Sequence, residues 1–493
     1  MQYFLGLAAL LAAPVSSTFV VQCYSPSRLF DQRADPVVNP GVASGHVHTI
    51  TGGSGFNFSM TYDDARASSC STCNIKQDLS NYWTPKLYFK AQNGSFLDVP
   101  IVGDTDGGQM GGMAVYYLTR PGPDNDKLTA FPKNFRMLAG DPMKRNETDD
   151  FASRAVSYKC VSATNDKADI RHLPTDKCDQ IRAQVTFPAC WDGKNTDSED
   201  HKSHVSYPEE GNYDGGRCPK THPVHLVTLF SEVYYDTRGF QGMWYGDQQP
   251  FVLANGDATG YGYHGDFVNG WDVDALQKGL NMCPEGVEDC AQKAFGEFNS
   301  PDETKECKLP SMIDEPVAGI LDALPGCNEV SYGPEPATKA ENCNAPKLES
   351  TLSPKLAGYV DVTDKGFKYV GCGKDNALER TLNEELLTGD DMTVEKCIDF
   401  CKSKSKSYAG LEYSGQCYCG SAVADDRAPE SARGAGNCLM KCSGNQEQVC
   451  GGNDAISLYE ACLGGTCTNA VKRHSRRLAS VEVARADAAA RGM

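Results

Sequence analysis

The stretch TVEKCIDFCKSKSKSYAGLEYSGQCYCG (Thr393–Gly420) holds a helix signal and a strand signal bound together by cysteine spacing. Thr393 is placed to cap a helix running through Glu395 to Lys402, which sets Cys397 and Cys401 one turn apart on one face. Cys417-Tyr418-Cys419 reads as strand, where alternation sends both cysteines to one side. Two cysteines on one helical face can each staple that helix to a different loop. The surrounding block contains eight cysteines: Cys372, Cys397, Cys401, Cys417, Cys419, Cys438, Cys442 and Cys450. A block of fewer than ~100 residues needs such cross-links because its hydrophobic core is thin. A small, disulfide-rich α+β module is therefore expected over residues 366–461.

Upstream, residues 332–365 are rich in Pro, Glu, Lys, Ala and Ser without an apolar period, the composition of a linker. Before it, residues 18–331 show segments rich in β-branched and aromatic residues, broken by Gly, Asn, Asp and Pro turns. These are Tyr82–Lys90, Met113–Thr119, Gln180–Pro188, Leu226–Thr237 and Phe251–Ala254. One amphipathic helix is predicted over Asp272–Met282, with Val273, Leu276 and Leu280 on one side. The expected fold is mainly β with some α, its larger domain a β-sandwich-like unit with long loops.

The ends and the composition fix the compartment to be expected. Leu5–Val15 is a short apolar run, and Val15-Ser16-Ser17 offers the small residues that a signal peptidase prefers, so residues 1–17 read as a signal peptide. No later segment has the ~18 apolar residues needed to span a bilayer. Residues 462–493 form a basic tail, in which Lys472-Arg473 and Arg476-Arg477 are dibasic. The 22 cysteines suit an oxidising compartment, and twelve of them lie between Cys23 and Cys343, so disulfides closed within each domain are expected. Asn57, Asn93 and Asn146 begin glycosylation sequons. A net charge of −18 argues against nucleic acid as a partner, because phosphate binding draws on clustered Lys and Arg. A secreted monomer, outside or within a cell wall and not inserted in a membrane, is the expectation.

The strings Tyr369-Val-Gly-Cys372, Tyr408-Ala-Gly-Leu-Glu-Tyr413, Cys417-Tyr-Cys-Gly420, Asn437-Cys438, Cys442-Ser-Gly-Asn and Cys450-Gly-Gly-Asn453, with the helix between them, resemble a WSC domain. That resemblance implies a carbohydrate-binding module of fungal type, associated with β-glucan or other wall polymers. Aromatic faces stack on the C–H surfaces of sugar rings, so Tyr408, Tyr413 and Tyr418 are the candidate contacts, with core packing as the alternative for each.

Histidines and aspartates in the larger domain cluster in Gly- and Asp-rich strings. In Gly45-His46-Val47-His48 an extended backbone points both rings to one side, which suits metal ligation. Asp200-His201-Lys-Ser-His204 brings two rings one turn apart if helical, and Tyr263-His264-Gly-Asp266 adds another acid. A divalent-metal site using His46, His48 and His201 is one reading. Proton transfer by Asp200, His204, His264 and Asp266 is a second, and hydrogen bonding to structure or ligand a third. Cys70-Ser-Thr-Cys73 has the spacing of a redox pair, yet in a secreted chain it reads as structural. Asp35-Pro-Val-Val-Asn39-Pro, Gly45-His-Val-His-Thr-Ile, Tyr82-Trp-Thr-Pro85, Cys190-Trp-Asp-Gly-Lys and Asn255–Phe267 together resemble the fungal family DUF1996, whose name records an unknown function. Two roles for the whole chain follow. One is a wall-polysaccharide-binding protein with Trp83, Trp191, Trp244 and Tyr263 as further stacking residues. The other is a carbohydrate-active hydrolase held near its polymer by the WSC-like module.

Overall fold

Two five-stranded antiparallel sheets carry the first domain in the computed structural model, which describes residues 19–24, 28–104, 111–162, 168–283, 290–338, 343, 346, 348–352, 360–376, 378–424, 427, 438, 440–462 and 467. The expected signal peptide and most of the basic tail lie outside the described residues. The first sheet runs in the order β1 (Phe19–Cys23), β7 (Met113–Leu118), β14 (Thr228–Asp236), β10 (Gln180–Thr186), β9 (Val156–Val161). The second runs β2 (Phe30–Gln32), β3 (His48–Gly52), β4 (Asn81–Pro85), β16 (His264–Val268), β8 (Arg136–Gly140).

Side-chain alternation decides how the two sheets meet. Met113, Val115 and Tyr117 of β7 and Ile181, Ala183 and Val185 of β10 are fully buried. They face Tyr82, Met137 and Phe267 of the second sheet in one hydrophobic cluster. The opposite side of the first sheet is polar, with Glu232 receiving Arg182 at 3.2 Å and the Tyr116 hydroxyl at 2.9 Å. The second sheet has no wet face: β3, β4 and β16 are buried at every position. Its far side is covered by the segment after β2, the loop after β3 and the helix Tyr62–Arg66, whose Ala34, Val37, Phe56, Phe58 and Ala65 pack on Ile50, Trp83 and Val268. The β-sandwich-like domain expected from the sequence is what forms.

Smaller pieces extend it. A four-stranded sheet joins β15 (Phe251–Leu253), β5 (Leu87–Lys90), β6 (Phe96–Asp98) and β18 (Ile320–Leu321), and short strands β11 (Cys190–Trp191), β12 (Val205–Ser206) and β13 (Val224–His225) form a third layer. The predicted helix is Val273–Met282, with the Asp272 carboxylate accepting from the Ala275 amide at its start. Within the span expected to be linker, β19 (Leu348–Leu352) pairs with β17 (Ser311–Ile313), and Ala337 N donates to Met143 O, so part of it belongs to the first domain's structure. Cys70 bonds Cys307 and Cys73 bonds Cys23, so the two thiols of the C-x-x-C string serve separate cross-links.

The second domain is one antiparallel sheet ordered β20 (Phe367–Lys374), β26 (Ala455–Ala461), β22 (Tyr408–Glu412), β23 (Gln416–Gly420), β21 (Glu385–Thr388), with the helix Val394–Ser403 on one face. A separate hairpin joins β24 (Lys441–Cys442) and β25 (Asn445–Val449). Thr393 caps the helix as expected. Cys397 and Cys401 do not reach different loops; they bond Cys417 and Cys419, neighbours on one side of β23. One helical turn rises ~5.4 Å and two strand residues advance ~6.6 Å, so the paired spacings nearly match. Cys372–Cys438 and Cys442–Cys450 complete the block, and each domain closes its own disulfides.

A buried hydrogen-bond chain joins the two large sheets. The Tyr82 hydroxyl donates to Asp78 at 2.6 Å and meets the Tyr117 hydroxyl at 2.7 Å, which accepts from Trp271 Nε1 at 2.6 Å. Tyr117→Phe strands the Trp271 N–H in the core and is expected to cost about 2 kcal/mol. Chemical denaturation of the two proteins measures that difference, and equal midpoints would show that the chain contributes nothing.

Candidate functional site

Register places the candidate site on the covered face of the second sheet. Gln32 pairs with His48 and His48 with Pro85, while Trp83 pairs with Asp266 and His264 with Gly140. Continuing the β4–β16 pairing by two residues sets Pro85 opposite His264. His48 and His264 thus occupy one row of the sheet, separated by Pro85, whose short ring leaves room for the imidazoles to meet above it. His46 arrives from the turn before β3. Its Nε2 lies 2.9 Å from His264 Nε2, and His48 Nε2 lies 3.3 Å from the same atom.

The other ring nitrogens are committed where the structure records a partner. His48 Nδ1 is 3.0 Å from the carbonyl of Ala34, and His264 Nδ1 is 2.9 Å from that of Gly262. A carbonyl only accepts, so both Nδ1 atoms carry the proton and both Nε2 atoms present a lone pair toward the centre. Burial pushes the His46 and His48 rings well below their ordinary range, reinforced by the neighbouring histidines, and lowers His264 to about 4. At neutral pH the three rings are uncharged bases facing one another.

Directly beneath, on the next row, Trp83 and Asp266 are buried, and neither Trp83 Nε1 nor Asp266 Oδ2 has a hydrogen-bond partner. Burial raises the Asp266 carboxyl well above the usual carboxylate range, helped by the nearby Asp35 charge. Asp35 is itself buried and caps its own turn by accepting from the amides of Val37 and Val38. Lys202 reaches in from another loop to donate to Gly140 O at 2.6 Å.

The structure does not bring every candidate together. His201 stays outside the trio: it sits in the left-handed region (φ 57°), with Nδ1 2.7 Å from Asp197. The stretch 198–204 is a turn, not a helix, so the two rings of His201 and His204 diverge. Asp200 is a turn acceptor for the amides of Lys202 and Ser203 and the Ser198 hydroxyl, and these bonds hold its carboxyl far below the usual range. Both His204 nitrogens are engaged, one with Arg136 O at 2.8 Å and the other with Ser198 Oγ at 2.9 Å. Trp83 and Tyr263 are fully buried and offer no face to a sugar. Trp191 and Trp244 are half-buried, the first donating to Asn195 O and the second lying under Lys177. The sequence reading passed over Lys202, and over the carbonyls of Ala34 and Gly262, which have no side-chain signature. A cavity of about 530 Å³ lies elsewhere, lined by residues such as Ile320, Leu324 and Val449.

In the second domain the tyrosines separate by exposure. Tyr418 is 7% exposed, with the Arg380 guanidinium 4.7 Å from its ring centre, and Tyr408 is half-buried, donating to Glu460. Tyr413 is 55% exposed at the tip of the β22–β23 hairpin. It and Ser414 hold φ values of 47° and 65°, a left-handed pair unusual for residues with side chains. Backbone bonds from Ser414 N to Cys450 O and from Ser443 N to Ser414 O clamp that tip. Asn57, Asn93 and Asn146 are all exposed.

Residues 35–271 match the family described as Domain of unknown function (DUF1996), and residues 369–452 match the WSC domain. A Chaetomium globosum protein named "Putative fungistatic metabolite" is 39% identical over 171 residues, covering 34% of this chain and 67% of that one. A WSC domain-containing protein of Arthroderma benhamiae is 38% identical over 95 residues, 19% of this chain and 10% of its own length. Kremen protein 2 of Mus musculus is 33% identical over 96 residues, 20% of each chain. The chain thus spans only about a tenth of the Arthroderma relative.

The buried neutral rings carry a sign for pH. An unfolded histidine takes its proton near pH 6.5 and His264 only near 4, so in chelator stability should fall as pH drops through that window. His264 alone accounts for about 3 kcal/mol at most. His264→Gln should flatten the pH profile of the melting temperature; profiles that run parallel would refute the assignment.

Proposed function

We propose the following function for this chain, which belongs to the DUF1996 family and carries a WSC domain behind it: it is a secreted protein that binds cell-wall polysaccharide of glucan type through the WSC module. The eleven disulfides, all cysteines described being paired, support an extracellular life. The observation that carries the reading is the Tyr413 ring, presented to solvent by a hairpin whose backbone conformation is unfavourable unless clamped. A rigid exposed aromatic loses little conformational entropy on contact and offers a flat apolar face to a pyranose ring. Tyr408 and Tyr418 support the hairpin from within.

A second reading is favoured by the convergent histidines: the larger domain hydrolyses the polymer to which the WSC module holds it. Tethering would then raise the local substrate concentration without a new contact.

Co-sedimentation of the full chain with insoluble β-1,3-glucan, cellulose and chitin tests the first reading. Tyr413→Ala is expected to weaken binding to the preferred polymer about tenfold, the size of one lost stacking contact, while Tyr408→Phe binds as the wild type does. Undiminished binding by Tyr413→Ala would remove the hairpin from the site. Mass spectrometry of the supernatants decides the second reading: new oligosaccharides would make the protein a hydrolase, and unchanged polymer would leave it a binding protein.

A further inference from the structure

We propose that His46, His48 and His264 together bind one divalent transition-metal ion through their Nε2 atoms. The proposal goes beyond glycan binding and concerns the domain whose family carries no function.

The geometry is that of ligands around an ion. Two nitrogens held ~2.05 Å from a tetrahedral centre lie about 3.3 Å apart. His48 Nε2 and His264 Nε2 are 3.3 Å apart, His46 Nε2 and His264 Nε2 are 2.9 Å apart, and donor atoms of all three rings fall within 4.8 Å of one another. His46 Nε2 can donate to His264 Nε2 at 2.9 Å, but no hydrogen bond explains the approach of His48 Nε2 to His264 Nε2. With the Nδ1 protons of His48 and His264 given to Ala34 O and Gly262 O, their Nε2 atoms are both acceptors, and two lone pairs at that distance repel unless a cation lies between them. Carbonyls on the far nitrogens are the usual outer partners of metal-bound imidazoles, fixing the ring and raising its basicity.

Charge around the cluster is compatible with a dication. Arg33 is paired with Glu315 and Arg145 with Asp257, while Lys202 donates to Gly140 O. Asp35 and Asp266 contribute carboxyl groups nearby, and Asp266 Oδ2 has no other partner. Three imidazoles without a carboxylate in the inner set favour zinc, copper, nickel or cobalt over calcium or magnesium.

Three protein ligands are one short of a closed structural site and leave a position for water or substrate. His46 is the only partly exposed member, so that position opens on its side. Trp83 Nε1 and Asp266 Oδ2, a buried donor and a buried acceptor paired across β4 and β16, lie on the same face one row away. They are the polar groups that would hold a molecule entering beside the ion, so Trp83 serves through its N–H and not through its ring face.

The test uses the full chain, stripped with chelator, dialysed and titrated with Zn²⁺ and separately with Cu²⁺. Elemental analysis after gel filtration should find one ion per chain, and the Cu²⁺ form should show nitrogen hyperfine splitting from three imidazoles in its electron paramagnetic resonance spectrum. His48→Gln and His264→Gln should retain less than about a tenth of the ion. His201→Ala and His204→Ala should retain it fully. Failure of the wild type to bind either ion overturns the proposal, as does retention by both glutamine variants or loss in His201→Ala. The wild-type stoichiometry and spectrum stand even if a variant fails to fold. Stripped protein should still sediment with glucan, so failure of the metal site and failure of the glycan reading are separately visible.

Discussion

The double burial of the second sheet is the constraint on which the larger domain depends. A sheet covered on one side can send its polar residues to water; β3, β4 and β16 cannot. Every polar side chain on those strands must therefore find a partner in the interior, and most do. Thr49 donates to Asp31, Tyr82 to Asp78, and Asn81 to the carbonyl of Gly53. Asn81 Oδ1 and Thr84 Oγ1 are exceptions, and a further group lies on one patch, where His48 and His264 bring their Nε2 atoms together and Trp83 Nε1 and Asp266 Oδ2 lack partners. Unpaired polar groups are costly in a core, and their concentration in one place marks a site and not a packing fault.

The smaller domain solves a different problem. Its sheet has one helix to pack against, too little apolar surface for a stable core by itself, and the Cys397–Cys417 and Cys401–Cys419 bonds fasten that helix to β23, the strand next to the sheet's edge. The adjacent Tyr418 is turned to the other side by strand alternation, into a small cluster with Leu382, Ile456 and Leu458. Rigidity bought covalently in this way lets the hairpin tip hold Tyr413 and Ser414 in a conformation that a looser module would relax.

Local chemistry was readable before the fold was known. Strand alternation, the apolar period of Asp272–Met282, the cap at Thr393 and the even division of cysteines all rest on neighbours close in sequence, and the elements they predict are present. The Gly45-His-Val-His string announced two rings on one side for the same reason. What could not be read is the non-local register that brings His264, more than two hundred residues later, into the row of His48. The same gap explains His201, which a helical reading places beside His204 but a left-handed turn directs to Asp197. Trp83 and Tyr263 look like binding aromatics in sequence because burial on both faces of a sheet leaves no mark in a single strand.

The Cys70–Cys307 bond closes a loop of 237 residues, and Cys23–Cys73 straddles its beginning. His46 and His48 lie on one side of Cys70, and His264 lies within the loop. A protease that cuts an exposed turn anywhere between Cys73 and His264 therefore severs the chain without separating the parts. The piece bearing His46 and His48 remains joined through Cys70 to the piece that holds His264 and Cys307. In a protease-rich medium a singly nicked protein migrates as one species until it is reduced, so its apparent intactness on a non-reducing gel says little about the continuity of its backbone.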